Sequence, residues 1–393
     1  MLGAAGATRV EISVRLLFVD TSRSASGGVV LLTHAAACGA MFPRVRGRGF
    51  LNVAAVIVLG VATLGFTSAS APSYSWELTP TGSTARLRGL SAVSAEVAWA
   101  SGSGGTVLRT IDAGATWQSV GPPGTSTLQF RDIEAFDAND AVILSIGEGT
   151  DSRIYVTSDA GQHWTLAFMN TDPAAFYDCM TFFDRKRGLA LSDPVGGFFR
   201  ILATEDGGRT WSVVDTEMPP ALPGEFAFAA SGQCLVSEHG HTAWFATGGG
   251  AQARVFRSDD RGQTWEVSAT PIHSGPSAGI FALAFRDQQH GIAVGGDFLL
   301  PTSSPDAFAV TSDGGRTWQL VNDAPDEYRS GAAWVNGHTA IAVGPSGSNI
   351  SFDAGHSWEP LGTGSFDTVD CANPNACWAS GEQGRIARLV KQH

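Results

Sequence analysis

Hydrophobic and polar positions alternate in short bursts along most of the chain. Between Trp117 and Trp164, three apolar-rich runs, 128–136 (LQFRDIEAF), 141–147 (AVILSIG) and 153–159 (RIYVTSD), are separated by Asp-Ala-Asn-Asp and Gly-Glu-Gly-Thr-Asp-Ser. Runs of this length bounded by turn residues predict β-strands. The layout recurs with a fixed marker, Ser/Thr-x-Asp-x-Gly-x-(Thr/Ser/His)-Trp, at 110–117, 157–164, 204–211, 258–265, 311–318 and 351–358, and a truncated copy survives as SWELTP around Trp76. Successive tryptophans are 41, 47, 47, 54, 53 and 40 residues apart, and 35 residues follow Trp358. Each interval holds three further strand-like runs, so the repeating unit is four short antiparallel strands.

Seven tryptophan-led outer strands imply a seven-bladed β-propeller, an all-β fold of four-stranded antiparallel blades spanning 72–393. The chain ends in RIARLV, a third strand without an outer strand of its own. The strand at Trp76 is expected to fill that place and close the ring on the last blade, which hides the edges that an open sheet exposes.

The repeated marker reads as a structural staple. Its aspartate accepts hydrogen bonds from turn amides, its glycine takes positive φ, its hydroxyl residue satisfies the same turn, and its tryptophan buries a large face between units. The staple residues are Asp112 with Trp117, Asp159 with Trp164, Asp206 with Trp211, Asp260 with Trp265, Asp313 with Trp318 and Asp353 with Trp358. Each aspartate sits beside its own tryptophan turn and not at a common point, which argues against catalysis or metal binding by the set.

Composition agrees: 48 Gly and 11 Trp suit many tight turns between short strands. The net charge of −12 excludes a surface that coats nucleic acid. Residues 41–71 carry Arg44, Arg46 and Arg48, an apolar run over 51–66 and then small residues, the layout of a secretory signal peptide or a retained N-terminal anchor. Met41 is the expected start, 1–40 an upstream extension outside the fold, and membrane contact is expected only through a retained anchor. Removing residues 1–71 leaves 19 basic against 35 acidic residues, net −16. An exported, periplasmic or extracellular chain favours disulfides. Cys371 and Cys377 flank a turn-forming Ala-Asn-Pro-Asn-Ala and are expected to bridge a hairpin, whereas Cys179 and Cys234 read equally well as free core thiols or as a bridge.

The turn motif resembles the Asp-box (bacterial neuraminidase) repeat, in which it joins the third and fourth strands of a propeller blade. Runs such as SDPVGGFF, LPGEFAFAASG, ARVFRSDDRGQTW, GIFALAFRD, VGGD and GPSGS are similar to a bacterial group related to the photosystem II stability/assembly-factor propellers. This resemblance implies an exported, non-catalytic scaffold that binds a protein partner, an envelope glycan being the other ligand class considered. The long loops 219–225, 270–279, 296–307 and 322–331 all fall on the face opposite the staples and mark the binding side. Aligning the inner strands as LRGL, FRDI, YDCM, IFAL, YRSG and FDTV places Arg88, Arg131, Asp178, Phe281, Arg329 and Asp367 at one position near the channel mouth. Glu148, Asp193, Asp297 and Glu382 from the second-to-third-strand loops, and Glu225, join them. Two readings stand for these charges: they pair with one another and solvate the channel, or they form a mixed-charge funnel that binds an anionic or polar ligand through arginine forks.

A second expectation is a glycoside hydrolase of the sialidase or xyloglucanase type, whose propellers share the Asp box. Tyr328 beside Arg329 is its candidate nucleophile and Asp178, Asp193, Glu225 and Asp297 its candidate carboxylates. The Arg-Ile-Pro signature of sialidases is absent, Phe199-Arg200-Ile201-Leu202 being the nearest match. There is no Gly-x-Gly-x-x-Gly after a strand, no Cys-x-x-Cys and no phosphate-binding loop, and His239-Gly-His241 lacks a third ligand. No cofactor or metal is expected.

Overall fold

The computed structural model describes residues 73–238 and 240–392. Residues 1–72, which hold the upstream extension and the signal or anchor segment, His239 and His393 lie outside the described residues. Seven four-stranded antiparallel sheets form a ring. Their inner strands are Leu87–Ala92, Gln129–Ala135, Tyr177–Phe182, Leu235–Glu238, Ala278–Phe285, Gly331–Trp334 and Thr368–Cys371, which number blades 1 to 7. Ser73–Leu78 pairs antiparallel with Ile386–Gln392 and supplies the outer strand of blade 7, with Trp76 opposite Leu389. The predicted closure is the one observed.

Cores lie between blades. One cluster packs Cys179, Leu189 and Leu191 of blade 3 against Phe245, Phe256 and Trp265 of blade 4. Tryptophans carry much of this packing: Trp117 meets Trp378 of blade 7 edge-on at 5.9 Å, and Trp164 meets Trp99 of blade 1 at 6.5 Å. Four indoles, at Trp211, Trp265, Trp318 and Trp358, donate to the glycine carbonyl three residues earlier at 3.0–3.1 Å, while Trp117 and Trp164 donate to Thr79 and Val120.

The turns share one hydrogen-bond set. In blade 1 the Thr110 hydroxyl donates to Asp112 Oδ1 at 2.8 Å, and Thr116 donates from its amide to Oδ1 at 2.9 Å and from its hydroxyl to Oδ2 at 2.6 Å. The residue after the aspartate is also left-handed, at Ala113, Ala160, Arg261 and Ala354, or is glycine in the two Asp-Gly-Gly copies. Both disulfides are formed: Cys371–Cys377 clips the blade 7 hairpin and Cys179–Cys234 ties the inner strand of blade 3 to the residue just before the inner strand of blade 4.

Candidate functional site

On the loop-rich face, four inner strands carry a β-bulge at the same level. The register breaks at Arg88, Arg131, Asp178 and Phe281, so the extra residue turns toward the mouth in blades 1, 2, 3 and 5. Blade 7 places Asp367 equivalently, its amide donating to Ser380 O just before Thr368 pairs with Ser380. In blade 6 that geometry belongs to Ser330, whose amide donates to Val343 O. Arg329 is therefore one residue out of the expected register. It is buried, donating to Asn349 Oδ1 at 2.9 and 2.5 Å, to Glu327 at 2.6 Å and to Ser346 at 2.9 Å.

The channel itself is occupied. Blade 4 reaches its inner strand through residues 226–234, and 229–233 cross the axis. Gln233 Nε2 donates to Ala332 O of blade 6 and Val369 O of blade 7, each at 2.9 Å, and its Oε1 accepts from the Ala332 amide at 2.9 Å. Ser231 O accepts from Thr368 and Ala229 O from Arg131 at 2.7 Å. Gly232, at φ 78°, lies against the Asp132 carboxyl, where any side chain would collide. The absence of a clean strand pattern in FAFAASGQC, inside the longest tryptophan interval, is the sequence trace of this plug.

Around the plug, two charged regions form. Arg86 grips Asp367 through Nε at 2.8 Å and Nη2 at 2.6 Å, and Arg88 Nε lies 3.9 Å from the same carboxylate without a hydrogen-bond partner. Burial lowers the Arg88 pKa, Asp367 opposing and Arg86 reinforcing the shift. Arg131 is pushed down to about 10 by burial and by Arg88 and Arg86. Arg86 escaped the sequence reading, although Ala-Arg-Leu-Arg puts it at strand spacing from Arg88.

The second region is an open cleft of about 580 Å³, lined on its polar side by Arg131, Glu148, Asp178 and Asp193 and on its apolar side chiefly by Phe176, Phe226 and Phe228. Asp178 is 1% exposed and its Oδ2 has no hydrogen-bond partner. Burial and the neighbouring Asp193 charge hold its carboxyl well above the usual range. Burial raises Asp193 to about 6, partly offset by the Ala227 amide, which donates to Oδ1 at 2.9 Å.

The other expected site residues serve the fold. Glu225 is buried in an ion pair with Arg254 at 2.8 and 2.5 Å and also accepts from Thr247 at 2.6 Å. Asp297 caps its own loop by accepting from the Leu299 amide at 2.9 Å. Tyr328 is 6% exposed against Phe281, and burial raises its hydroxyl pKa, so it offers no ready nucleophile. Phe226, Phe228, Phe281 and Tyr328 form an aromatic cluster at the mouth, and Phe298 extends it edge-on toward Phe228 and Phe281. Next to it, Leu299 and Leu300 are 67% and 55% exposed.

No family model and no curated protein matches the chain. Solved structures do. The chain is similar to a structure described as YCF48 bound to D1 peptide, at 15% identity and TM-score 0.60 over 81% of this chain and 95% of that one. It is also similar to YCF48 from Cyanidioschyzon merolae, at 14% identity and TM-score 0.56 over 81% and 99%, and to the RRP9 WD40 repeats, at 10% identity and TM-score 0.58 over 82% and 99%. At these identities what the chain shares with all three is the propeller fold.

Proposed function

We propose that this protein is an exported, non-catalytic propeller that binds a protein partner through its loop-rich face, in the manner of an assembly or stability factor. The carrying observation is the convergence of Arg86, Arg88 and Arg131 on a plugged mouth. With residues 229–233 in the axis, the mouth is a surface for a macromolecule and not a passage for a small molecule. Arg86 and Arg88 face the Asp367 carboxylate and Arg131 beside them donates to the Ala229 carbonyl, a cationic grouping that suits an acidic group on the partner. The exposed Phe298-Leu299-Leu300 tip adds apolar area beside it. The likeness to a propeller described as bound to a peptide supports a polypeptide ligand over a glycan. Export rests on the layout of residues 41–71, and the turn motif is read as an Asp box.

The test is capture from the envelope fraction of the source organism with the wild-type propeller and an Arg88→Glu/Arg131→Glu variant, Arg329 being left intact because it is buried within blade 6. A protein held by the wild type and lost by the variant is the expected result. Equal capture by both, or capture of glycan alone, overturns the reading.

A further inference from the structure

The arginine side of the mouth leaves the acidic cleft unexplained. Its polar lining is Glu148, Asp178 and Asp193 against one cation, Arg131, and Arg131 already donates Nη1 to Ala229 O. A cluster of carboxylates on a surface means little by itself, because water solvates it. Asp178 differs. The residue is 1% exposed, lines the cleft, and carries in Oδ2 a buried oxygen with nothing to accept from. A buried acceptor left unpaired is unfavourable, and native structures seldom retain one without a use. Asp193 fixes only Oδ1, through the Ala227 amide. The remaining walls, Phe176, Phe226 and Phe228, are apolar and aromatic.

We propose that this cleft is a binding site for an organic cation, a primary ammonium or guanidinium on a short aliphatic stem, with the cationic head donating to Asp178 Oδ2 and Asp193 and the stem lying along Phe226 and Phe228. A bare metal ion fits poorly: no grouping of three or more metal-ligating side chains able to hold one occurs among the described residues, and half the cleft wall is apolar. An ammonium has three donors, enough for both carboxylates, and its stem uses the aromatic wall, where a cation is also attracted to ring faces. The same chemistry arises from two sources, a lysine or arginine side chain of a polypeptide and a free diamine. The site stands apart from the partner-binding reading, since small cations test it directly.

Calorimetric titration of the propeller at pH 7 with Nα-acetyl-lysine methylamide, with cadaverine and with uncharged Nα-acetyl-norleucine methylamide separates the cases. The charged probes should bind at least tenfold more tightly than the norleucine probe. Tighter binding of the lysine probe assigns the site to a polypeptide side chain, and tighter binding of cadaverine to a free amine. Asp178→Asn and Asp193→Asn should each weaken the charged probes tenfold or more, and Glu148→Gln, at the exposed rim, by only a few-fold. Arg88→Glu should leave this binding intact while removing partner capture, so the two readings fail separately. Heats measured in buffers of different ionisation enthalpy should reveal proton release on binding, because the cation drives Asp178 and Asp193 to their charged forms in a lining that otherwise holds only Arg131 and Glu148. Equal affinity for charged and uncharged probes, or charged-probe binding unaffected by Asp178→Asn and Asp193→Asn, overturns the assignment.

Discussion

Removing the carboxylate of one turn tests whether the repeated aspartate is a staple. Asp260 accepts from the Ser258 hydroxyl at 2.8 Å, the Gln263 amide at 3.0 Å, the Thr264 amide at 2.9 Å and the Thr264 hydroxyl at 2.6 Å. Hydrogen bonds to an ionised group contribute about 1.5–3 kcal/mol each when shielded, but this turn is half-exposed and water can replace part of each bond, so Asp260→Ala should destabilise by about 2–3 kcal/mol in total. If the ring of about 320 residues unfolds as one unit, its unfolding entropy is about 0.7 kcal/mol/K and the melting point falls by roughly 3–5 °C. Asp260→Asn keeps an acceptor at the Oδ1 position and should lose about half as much.

The pH dependence sharpens the test. Burial disfavours the Asp260 charge, but the Thr264 side chain and backbone, with Ser258 and Gln263, outweigh it and lower the pKa. A depressed folded pKa adds stability that is fully present above the unfolded value, about 3.9, and is lost as pH falls through the folded one. The gap between wild type and Asp260→Asn, measured by thermal unfolding from pH 7 downward, should therefore close below about pH 4. An Asp260→Ala melting point within about a degree of wild type, or a gap to Asn that persists into acid, would refute the staple.

Two further perturbations follow from contacts elsewhere in the ring. The Cys179–Cys234 loop spans 55 residues and the Cys371–Cys377 loop 6, so loop entropy assigns about 4 and about 2 kcal/mol to them. Paired alanine replacement should thus lower the melting point about twice as far at the first pair as at the second, and the reverse order would contradict the assignment. Gln233→Ala removes three hydrogen bonds from the inner strands of blades 6 and 7 and should cost about 1–3 kcal/mol. Hydrogen exchange should accelerate at the Ala332 amide, which Gln233 Oε1 otherwise accepts, and unchanged protection there would exclude the plug.

Blade number, blade composition and ring closure were legible because they rest on short-range signals. An aspartate, a glycine and a tryptophan within eight residues define each turn, and a strand ending without its outer partner names its missing neighbour. The mouth was less legible because its geometry is non-local. Aligning the inner strands puts Arg329 in one column with Arg88 and Arg131, yet blade 6 keeps a continuous register where blades 1, 2, 3 and 5 carry a bulge, and a shift of one sends a side chain to the other face. Glu225 is claimed by Arg254, 29 residues away, and Gln233 reaches partners 99 and 136 residues away, separations at which no spacing rule operates. Cys179 and Cys234, in neighbouring blades, gave no local cue for the same reason.

On the proposed function the two faces of the ring divide stability from recognition, and Arg88 puts that division to the test. Turn residues such as Asp260 hold their blades through satisfied local bonds. Arg88 has the opposite character: its side chain is 21% exposed, its Nε is unpartnered, and the carboxylate 3.9 Å away is already gripped by Arg86 in two-point contact. Burial and Arg86 lower its pKa, so its charge is held against the preference of the fold. Because Arg86 keeps Asp367 paired, replacing Arg88 by an apolar side chain of similar length removes a desolvated charge without orphaning its partner and should change stability by no more than about 1 kcal/mol, or roughly 1–2 °C in melting point for this ring. Arg88→Met should therefore melt close to the wild-type temperature while capturing less of the envelope partner, the separation of stability from function expected at a binding surface. A drop of more than about 3 °C would show that Arg88 is a structural residue, and the mouth would then have to be read as a solvated core and not as a site.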